Sequence, residues 1–362
     1  MITLDAAQEE ALDMIETATT PVRLIGGPGC GKSTVINHLK SRVVKVAPTN
    51  KAAMLIGGTT IHKLLSLRIQ RKGSKMITVP TRNTPLVPLN YKVVIDESSC
   101  ISRDIMNKYI KPLIPKAVYV GDQAQLNPVG ETTIPFMGLD IPTKELDYVH
   151  RFGGELLEVA YDMRKCVFDP NAGFKVPLSW ACDQDELLAK LKDEDVIVAW
   201  RNKTVNMYNR LVRMHKFGTT DWQVGEKVRI GSHFLKLELP TESEHFIERI
   251  EKGKSGGYHV WFVHLDCNKV VPVIHDGDKE EYDLMLESLA SQQKWKHFYA
   301  LKDSYCDLRP SYAITAHKSQ GSTYDNSFVD FADIFENPTS NEAIRAAYVS
   351  TTRARHTARN LI

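Results

Sequence analysis

The chain has 362 residues, a length that suits roughly two or three domains with their own hydrophobic cores and excludes a single small binding module. Its 46 lysines and arginines nearly balance 44 aspartates and glutamates, which leaves a formal net charge of +2 at pH 7. A basic field over the whole surface is therefore excluded, and a polyanion would have to bind in a local groove.

The cysteines and the apolar runs indicate the cellular setting. The 6 cysteines show no C-x-x-C spacing, which argues against a zinc site and against a secreted disulfide framework. No apolar run approaches the roughly 20 residues that span a bilayer. The opening MITLDAAQEE carries acids where a signal peptide carries bases. We expect reduced thiols, no membrane association, and a cytoplasmic location, which would be the host cytoplasm for a phage-encoded protein.

Short apolar runs with helical patterns between them recur along the chain. Buried strands that alternate with helices predict parallel sheets with crossover connections, hence an α/β fold. The pattern occurs twice, so we expect a first domain over residues 1–150 and a second over residues 151–362. In chain order the runs are VRLIGG, VVKVAP, KVVIDE, AVYVGD, DVIVAW, SYAIT and NSFVDFA.

Each half is interrupted by a segment of different character. Residues 66–90 mix bases, threonines and prolines without a helical period, which predicts a small hairpin standing out from the first sheet. Residues 230–305 contain the alternating run YHVWFVHL, then KVVPVI, then the helical pattern YDLMLESLASQQKW. We expect a small β-rich insert with an appended helix there.

The stretch GGPGCGKST follows a predicted strand, opens a predicted helix and fits the phosphate-binding pattern G-x-x-x-x-G-K-[ST]. Glycines allow a tight turn whose N–H groups converge on phosphates. Lys32 is expected to reach the β- and γ-phosphates and Ser33 to ligate Mg²⁺. The alternative is a glycine-rich turn without a ligand. Candidate nucleotide-binding residues in this loop are Gly26, Gly29, Gly31, Lys32, Ser33 and Thr34.

Further polar residues follow or precede the strand candidates. The run VVIDES delivers Asp96 and Glu97 at a strand end, where side chains alternate between faces, so we expect Asp96 to orient the metal and Glu97 to deprotonate the attacking water. Gln125 in AVYVGDQAQLNPV is a candidate link between the γ-phosphate and that water. Gln8, in LDAAQEEALDMI, is equally consistent with an adenine-reading amide and an ordinary helix glutamine. The alternative for Asp96 and Glu97 is a pair of solvated residues in a turn. The alternative for Gln125 is an amide in a surface turn.

The stretch NEAIRAAYVSTTRAR is interpreted as one helix whose apolar stripe is formed by Ile344, Ala347, Tyr348 and Thr351. At about 100° per residue, Arg353 lies nearly opposite Ile344, while Arg355 returns to within about 20° of it. We therefore expect Arg353 to project across a cleft and to stabilise charge on a transferring phosphoryl group. The alternative is a solvated arginine at a helix end.

The ordered motifs GGPGCGKST, APTNKAA, TTIHKLL, DES, GDQAQLNPV, AHKSQGST and YVSTTRA resemble those of superfamily-1 helicases, closest to the RecD and Dda group. The similarity covers almost the whole chain. It implies two RecA-like P-loop NTPase lobes, a pin-like insert in the first and an SH3-like insert in the second. It also implies an ATP-dependent DNA helicase that moves 5′-to-3′ on single-stranded DNA and unwinds duplex by ATP-driven closure of the lobes.

The resemblance also implies roles for individual residues. Gln8 matches the adenine-contacting glutamine, and Arg151 matches the arginine that opens the second lobe and reaches the γ-phosphate. Arg353 matches the arginine finger of the last motif. Gln320 and Gly321 match the motif that couples nucleotide to the DNA strand. Residues in motifs that touch single-stranded DNA in relatives are Thr49, Thr60, His62 and His317.

The ligands implied are ATP and Mg²⁺, with single-stranded DNA and a duplex fork as partners. Single-strand-binding or replication proteins are candidate partners, and we expect a monomer. Two alternatives remain, a P-loop phosphotransferase and a nucleotide switch that does not act on DNA. A phosphotransferase would give no function to Gln320 and Arg353. A nucleotide switch would have little need of a catalytic base at Glu97.

Overall fold

The computed structural model describes residues 3–72, 75–81, 91–232, 234 and 237–362. They form two compact units, one comprising Met1–Asp183 with Ser319–Ile362 and the other Gln184–Lys318. These units do not coincide with the division predicted at residue 150, so the lobe boundaries stay a prediction. Within the described ranges, no helix combines the length and the apolar character needed to cross a membrane.

The strands follow the short β-branched runs of the sequence, as expected for buried parallel strands. They are β1 Val22–Gly26, β2 Val43–Ala47, β3 Thr59–Thr60, β4 Leu67–Lys72, β5 Lys75–Pro80, β6 Lys92–Ile95, β7 Ala117–Gly121, β8 Thr143–Leu146, β9 Ala181–Cys182, β10 Val196–Ala199, β11 Lys227–Ile230, β12 Glu244–Ser255, β13 Tyr258–Leu265, β14 Lys269–Ile274, β15 Leu308–Pro310, β16 Ala313–Thr315, β17 Tyr324–Val329 and β18 Ala354–Leu361.

Several helices begin at side chains that accept hydrogen bonds from their first turn; α1, for example, begins at a capping box formed by Asp5 and Gln8. The helices are α1 Ala6–Thr17, α2 Lys32–His38, α3 Asn50–Leu55, α4 Ile61–Leu64, α5 Arg103–Ile105, α6 Lys111–Leu113, α7 Gly154–Phe168, α8 Gln184–Lys190, α9 Asn202–Phe217, α10 Lys279–Ser291, α11 Trp295–Lys302, α12 Ala316–Ser319, α13 Phe331–Phe335 and α14 Ser340–Thr351.

The first unit is built on a 6-stranded parallel sheet in the order β3-β2-β6-β7-β1-β8. Strands β1, β6 and β7 are buried along their whole length, because helices cover both faces of such a sheet. Their carboxyl ends meet at one edge, where ligands of open α/β sheets bind. The phosphate loop, the Asp96–Glu97 pair and the segment leading to Gln125 all start at this edge.

Two further features belong to the first unit. Strand β18 pairs in parallel with β17 on one side and with β9 on the other. Helix α14 packs against α7. Within the predicted hairpin of residues 66–90, strands β4 and β5 pair antiparallel. Residues 73–74 and 82–90 of that segment lie outside the described residues.

The second unit contains a parallel pair, β10 and β16, and a 5-stranded antiparallel sheet in the order β14-β13-β12-β11-β15. A buried apolar cluster, which includes Val228, Val263 and Val271, packs on this sheet. The segment 230–305, predicted to be β-rich with an appended helix, contains β12, β13 and β14 followed by α10 and α11. The bounds of the insert itself remain a prediction.

Candidate nucleotide site

A cavity of about 540 Å³ opens at the carboxyl edge of the parallel sheet in the first unit. It collects side chains from most of the motifs that the sequence singled out. Gly26 is hydrogen-bonded to Lys32, and Gln320 is hydrogen-bonded to Gln125, so both residues lie next to the cavity. The predicted site residues that line it are Gln8, Gly29, Gly31, Lys32, Ser33, Thr34, Asp96, Glu97, Gln125, Arg151, Gly321 and Arg353.

The phosphate loop has the backbone that its glycines predict. Gly29 and Gly31 adopt φ values of +83° and +84°, a left-handed conformation that favours glycine. A Cβ atom on Gly31 would also lie 2.2 Å from Nε2 of Gln8, so the amide end of that side chain would have to move to accept a larger residue. The ammonium of Lys32 donates to the carbonyl oxygens of Gly26 and Gly27, each over 2.8 Å. A charged phosphate oxygen is a stronger acceptor than these neutral carbonyl groups, so it would compete with them for the ammonium of Lys32.

Asp96 and Glu97 do not continue strand β6 as predicted, because the strand ends at Ile95 and Glu97 takes a left-handed conformation with φ +48°. The backbone N–H of Glu97 donates to Oδ1 of Asp96 over 2.9 Å. Both carboxylates therefore line the same cavity instead of pointing to opposite faces. Desolvation, followed by the charge of Asp96, raises the pKa of Glu97 to about 7, while Arg353 and Lys32 act in the opposite direction.

The donor set around Asp96 fits a hard divalent cation. Desolvation raises the pKa of the Asp96 carboxyl, and only a backbone hydrogen bond and the charge of Lys32 oppose this. A cation at this point would compensate the buried carboxylate. The hydroxyl of Ser33 lines the same cavity, and Mg²⁺ prefers such oxygen ligands in combination with substrate phosphates.

Gln125 is 3% exposed, and its side chain is hydrogen-bonded to that of Gln320. Its Oε1 accepts a hydrogen bond of 2.8 Å from Nε2 of Gln320, which also lies 3.3 Å from Oγ of Ser99. Gly321, with φ +75°, follows directly, and a Cβ atom there would lie 3.8 Å from Oε1 of Glu97. Two predicted motifs, 195 residues apart, thus meet beside the candidate base.

Arg353 reaches the cavity by a different route from the one predicted. Helix α14 ends at Thr351, so Arg353 lies in the turn that follows and is 3% exposed. Its guanidinium donates to the carbonyl oxygens of Val349 over 2.9 Å and Ser322 over 3.1 Å. The prediction of one helix through Arg355 was wrong, because side chains at the end of α14 take up the last carbonyl groups and the chain turns into β18.

Both arginines that line the cavity have lowered pKa values. The pKa of Arg353 is lowered by desolvation and is raised in part by Glu97. The pKa of Arg151 is lowered to about 10 by desolvation and then by the charge of Arg353. Two guanidinium groups that repel each other at one cavity make a site for an anion.

Gln8 is already bonded on both ends of its amide. Oε1 accepts from the backbone N–H of Asp5 over 3.2 Å, and Nε2 lies 3.3 Å from the carbonyl oxygen of Cys30 and 3.2 Å from Nε2 of His150. His150 in turn lies 3.0 Å from a carboxylate oxygen of Asp5. The residue predicted to contact adenine therefore also supports the phosphate loop.

The four predicted DNA-contacting residues lie in or directly before three short helices. The hydroxyls of Thr49 and Thr60 cap α3 and α4 by accepting from the backbone N–H groups of Ala52 and Lys63, each over 3.2 Å. Desolvation lowers the pKa of half-buried His62. His317 lies in α12 and is half-buried. Their roles stay predictions.

A buried polar network behind the cavity was not predicted. Tyr348 donates to Oδ2 of Asp122 over 2.9 Å, and Arg164 pairs with the other oxygen of Asp122 and, over 3.1 Å, with Glu145. Arg345 donates to the carbonyl oxygens of the segment leading to Gln125, at 2.8 Å and 2.7 Å. Asp122 lies inside the GDQAQLNPV motif, which was the available signal, whereas Arg164 and Arg345 had none.

A family model described as an AAA domain matches residues 8–131, and one described as a UvrD-like helicase C-terminal domain matches residues 310–359. An uncharacterized protein of Acanthamoeba polyphaga mimivirus is 24% identical, over 91% of this chain and 93% of its own. The ATP-dependent DNA helicase dda of Enterobacteria phage T4 is 22% identical, over 92% of each.

The fold is shared with solved helicase structures. The Pif1 helicase from Bacteroides, in complex with ADP-AlF3 and single-stranded DNA, matches 99% of this chain and 92% of its own with a TM-score of 0.60 at 17% identity. Together with the two family models and the dda relative, this likeness supports a superfamily-1B helicase. The predicted family and the predicted α/β fold with two RecA-like lobes are thereby confirmed. The same family models and relatives indicate an ATP-hydrolysing enzyme.

Proposed function

We propose that this DNA helicase moves along single-stranded DNA in the 5′-to-3′ direction and unwinds the duplex ahead of it. The observation that carries the proposal is that Lys32, Glu97 and Arg353 line one cavity. A phosphate-binding ammonium, a candidate base and a candidate finger are the groups that phosphoryl transfer to water requires. A phosphotransferase would have little use for a base poised on water.

In the proposed reaction, Lys32 leaves the two loop carbonyls that hold it and binds the β- and γ-phosphates of ATP. Glu97 accepts a proton from the attacking water, whose position Gln125 fixes. The raised pKa of Glu97 suits a proton acceptor near neutral pH. Arg151 and Arg353 stabilise the negative charge that develops on the transferring group.

Mg²⁺ is the proposed metal, with Ser33 and Asp96 as its protein ligands. When bound, it neutralises phosphate charge. Gly26, Gly29, Gly31 and Thr34 complete the phosphate loop, and Gln8 is the proposed contact to adenine. The nucleotide use of the solved Bacteroides Pif1 complex with ADP-AlF3 supports this assignment.

The hydrogen bond between Gln320 and Gln125 is proposed to couple ATP hydrolysis to movement of the DNA strand. A change at the γ-phosphate would alter the position of Gln125 and, through Gln320 and Gly321, the grip of the adjoining motif on the strand. ATP-driven closure of the two lobes would then move the DNA. Thr49, Thr60, His62 and His317 are the proposed contacts, in keeping with the single-stranded DNA bound by the Bacteroides relative.

The partners proposed are a single DNA strand and a duplex fork, with the chain acting as a monomer and with single-strand-binding or replication proteins as candidate associates. A near-neutral net charge is compatible with this, because local lysines, backbone donors and stacking surfaces suffice to grip a single strand.

Polarity is the sharpest test of the function. Partial duplexes of the same sequence, with either a 5′ or a 3′ single-stranded tail, are mixed with enzyme, ATP and Mg²⁺, and release of the labelled strand is followed. We expect release from the 5′-tailed substrate, with Glu97→Gln as the inactive control. Release from the 3′-tailed substrate alone would refute the direction. ATP turnover indifferent to DNA would instead favour a phosphotransferase or a switch.

A further inference from the structure

Three side chains with metal-binding atoms meet at one turn of the antiparallel sheet in the second unit. His245 lies in β12, and Asp266 and Cys267 lie in the turn between β13 and β14. One ligand atom from each lies within 4.8 Å of the others. The backbone N–H of Asp266 donates to the carbonyl oxygen of Phe246 over 3.0 Å, so the turn is fixed to the strand beside His245.

Ser243 connects the far nitrogen of His245 to the backbone. Oγ of Ser243 donates to the carbonyl oxygen of Pro240 over 2.8 Å. The same oxygen lies 3.1 Å from Nε2 of His245 and can accept a hydrogen bond from it. In that arrangement Nε2 holds the ring proton, and the lone pair of Nδ1 can bind a cation.

The second nitrogen of His245 faces two further ligand atoms. Nδ1 lies 3.0 Å from Oδ1 of Asp266. The partly exposed thiol of Cys267 lies beside them. Imidazole, carboxylate and thiolate are all zinc ligands, and their convergence on one point favours a cation there over a hydrogen bond between His245 and Asp266 alone.

We propose that His245, Asp266 and Cys267 bind a divalent transition metal ion of the Zn²⁺ class. Binding releases the thiol proton to solvent, and the resulting thiolate and the carboxylate balance the two positive charges. The chain from His245 through Ser243 to Pro240 supplies the outer hydrogen bond that metal-bound histidines commonly make. This ion would tie the turn to β12 and stabilise the sheet.

The required movement is small. Zinc bonds of about 2.0–2.3 Å place neighbouring ligand atoms roughly 3.3–3.6 Å apart in a tetrahedral site. The widest separation in the cluster, 4.8 Å at most, must therefore shorten by up to about 1.2–1.5 Å, which rotation of the partly exposed side chains of Asp266 and Cys267 can provide. The lack of C-x-x-C spacing argued against a zinc site, but His245 and Asp266 are 21 residues apart, so spacing could not reveal this cluster.

The test is a titration of the reduced, metal-free full chain with Co²⁺, whose bond to a thiolate gives a near-ultraviolet charge-transfer band. We expect the band in the wild type, its displacement by Zn²⁺, and its loss in Cys267→Ser. Asp266→Asn, at an exposed turn position, should weaken Co²⁺ binding on the order of 10-fold or more. The matched control is His259→Asn, which breaks a histidine–aspartate pair of 2.9 Å outside the cluster and should leave the band unchanged.

Thermal unfolding supplies a second measurement that does not depend on activity. Zn²⁺ should raise the unfolding midpoint of the wild type and of His259→Asn, and it should raise that of Asp266→Asn much less, because a ligand of the folded state stabilises it. The proposal is overturned if the wild type shows no thiolate band, or if the band survives in folded Cys267→Ser. In either case His245 and Asp266 would form a hydrogen-bonded pair without a metal.

Discussion

Nε2 of Gln320 donates a 2.8 Å hydrogen bond to Oε1 of Gln125, which joins two motifs that lie 195 residues apart. The same nitrogen lies 3.3 Å from Oγ of Ser99, two residues beyond the candidate base Glu97. This contact links the proposed water-positioning amide to the motif proposed to sense the DNA strand.

The link predicts non-additive variants. Gln125→Ala and Gln320→Ala should each lower DNA-stimulated ATP turnover, and the double variant should be little worse than the more damaging single one. Residues in direct contact have interaction energies of about 0.5–3 kcal/mol. Steady-state kcat of the four proteins, with saturating oligonucleotide, measures the coupling. If the losses of kcat in the two single variants added up in the double variant, Gln125 and Gln320 would act independently.

Glu97→Gln should retain ATP binding and lose hydrolysis, because the amide keeps the shape of the carboxylate but cannot accept the proton of water. Turnover is expected to fall by about 10²–10⁴-fold. Equilibrium binding of a fluorescent ATP analogue measures whether ATP binding is retained, and release of phosphate measures whether hydrolysis is lost. Glu10→Gln, at an exposed acid of α1, is the control. Hydrolysis at the wild-type rate in Glu97→Gln would remove Glu97 from the reaction.

Arg353→Lys should lower ATP turnover by about 10³–10⁵-fold, since a lysine lacks the forked geometry of the guanidinium. Arg355→Lys is the matched control, because Arg355 is exposed and pairs over 3.2 Å with Asp325. Arg353 also donates to two carbonyl groups, so thermal unfolding must be measured alongside. A folded Arg353→Lys protein with normal turnover would contradict the assignment of the finger.

Tyr348→Phe should destabilise the fold by about 1–3 kcal/mol, because it leaves one buried oxygen of Asp122 without its donor. The free energy of unfolding from urea titration measures the loss. Tyr299→Phe, at a residue that is 53% exposed, should change it little. Equal stability of the two variants would mean that the bond between Tyr348 and Asp122 contributes nothing net.

Local sequence explains why some parts of the candidate site could be predicted. The phosphate loop needs glycine at Gly29 and Gly31 for their positive φ, and Lys32 follows at a fixed spacing. The Asp96–Glu97 pair was located, but not its turn, because the left-handed conformation of Glu97 depends on its surroundings and has no signal in residue type.

The end of α14 shows why the remainder could not be predicted. The hydroxyl of Thr352 donates to the carbonyl oxygens of Tyr348 and Val349, and Nε of Arg353 donates to Val349 as well. These side chains satisfy the terminal carbonyl groups and end the helix before Arg353. Helical phase alone could not foresee this, nor the bonds that Arg345 and Arg164 make to distant segments.

The central claim is that ATP is hydrolysed in this one cavity and that a DNA strand controls the rate. The most direct measurement is ATP turnover by the wild type and by Lys32→Ala, each with and without a single-stranded oligonucleotide. We predict strong stimulation of the wild type and little turnover by Lys32→Ala under either condition. Wild-type turnover unaffected by the oligonucleotide, or a fully active Lys32→Ala, would contradict the claim.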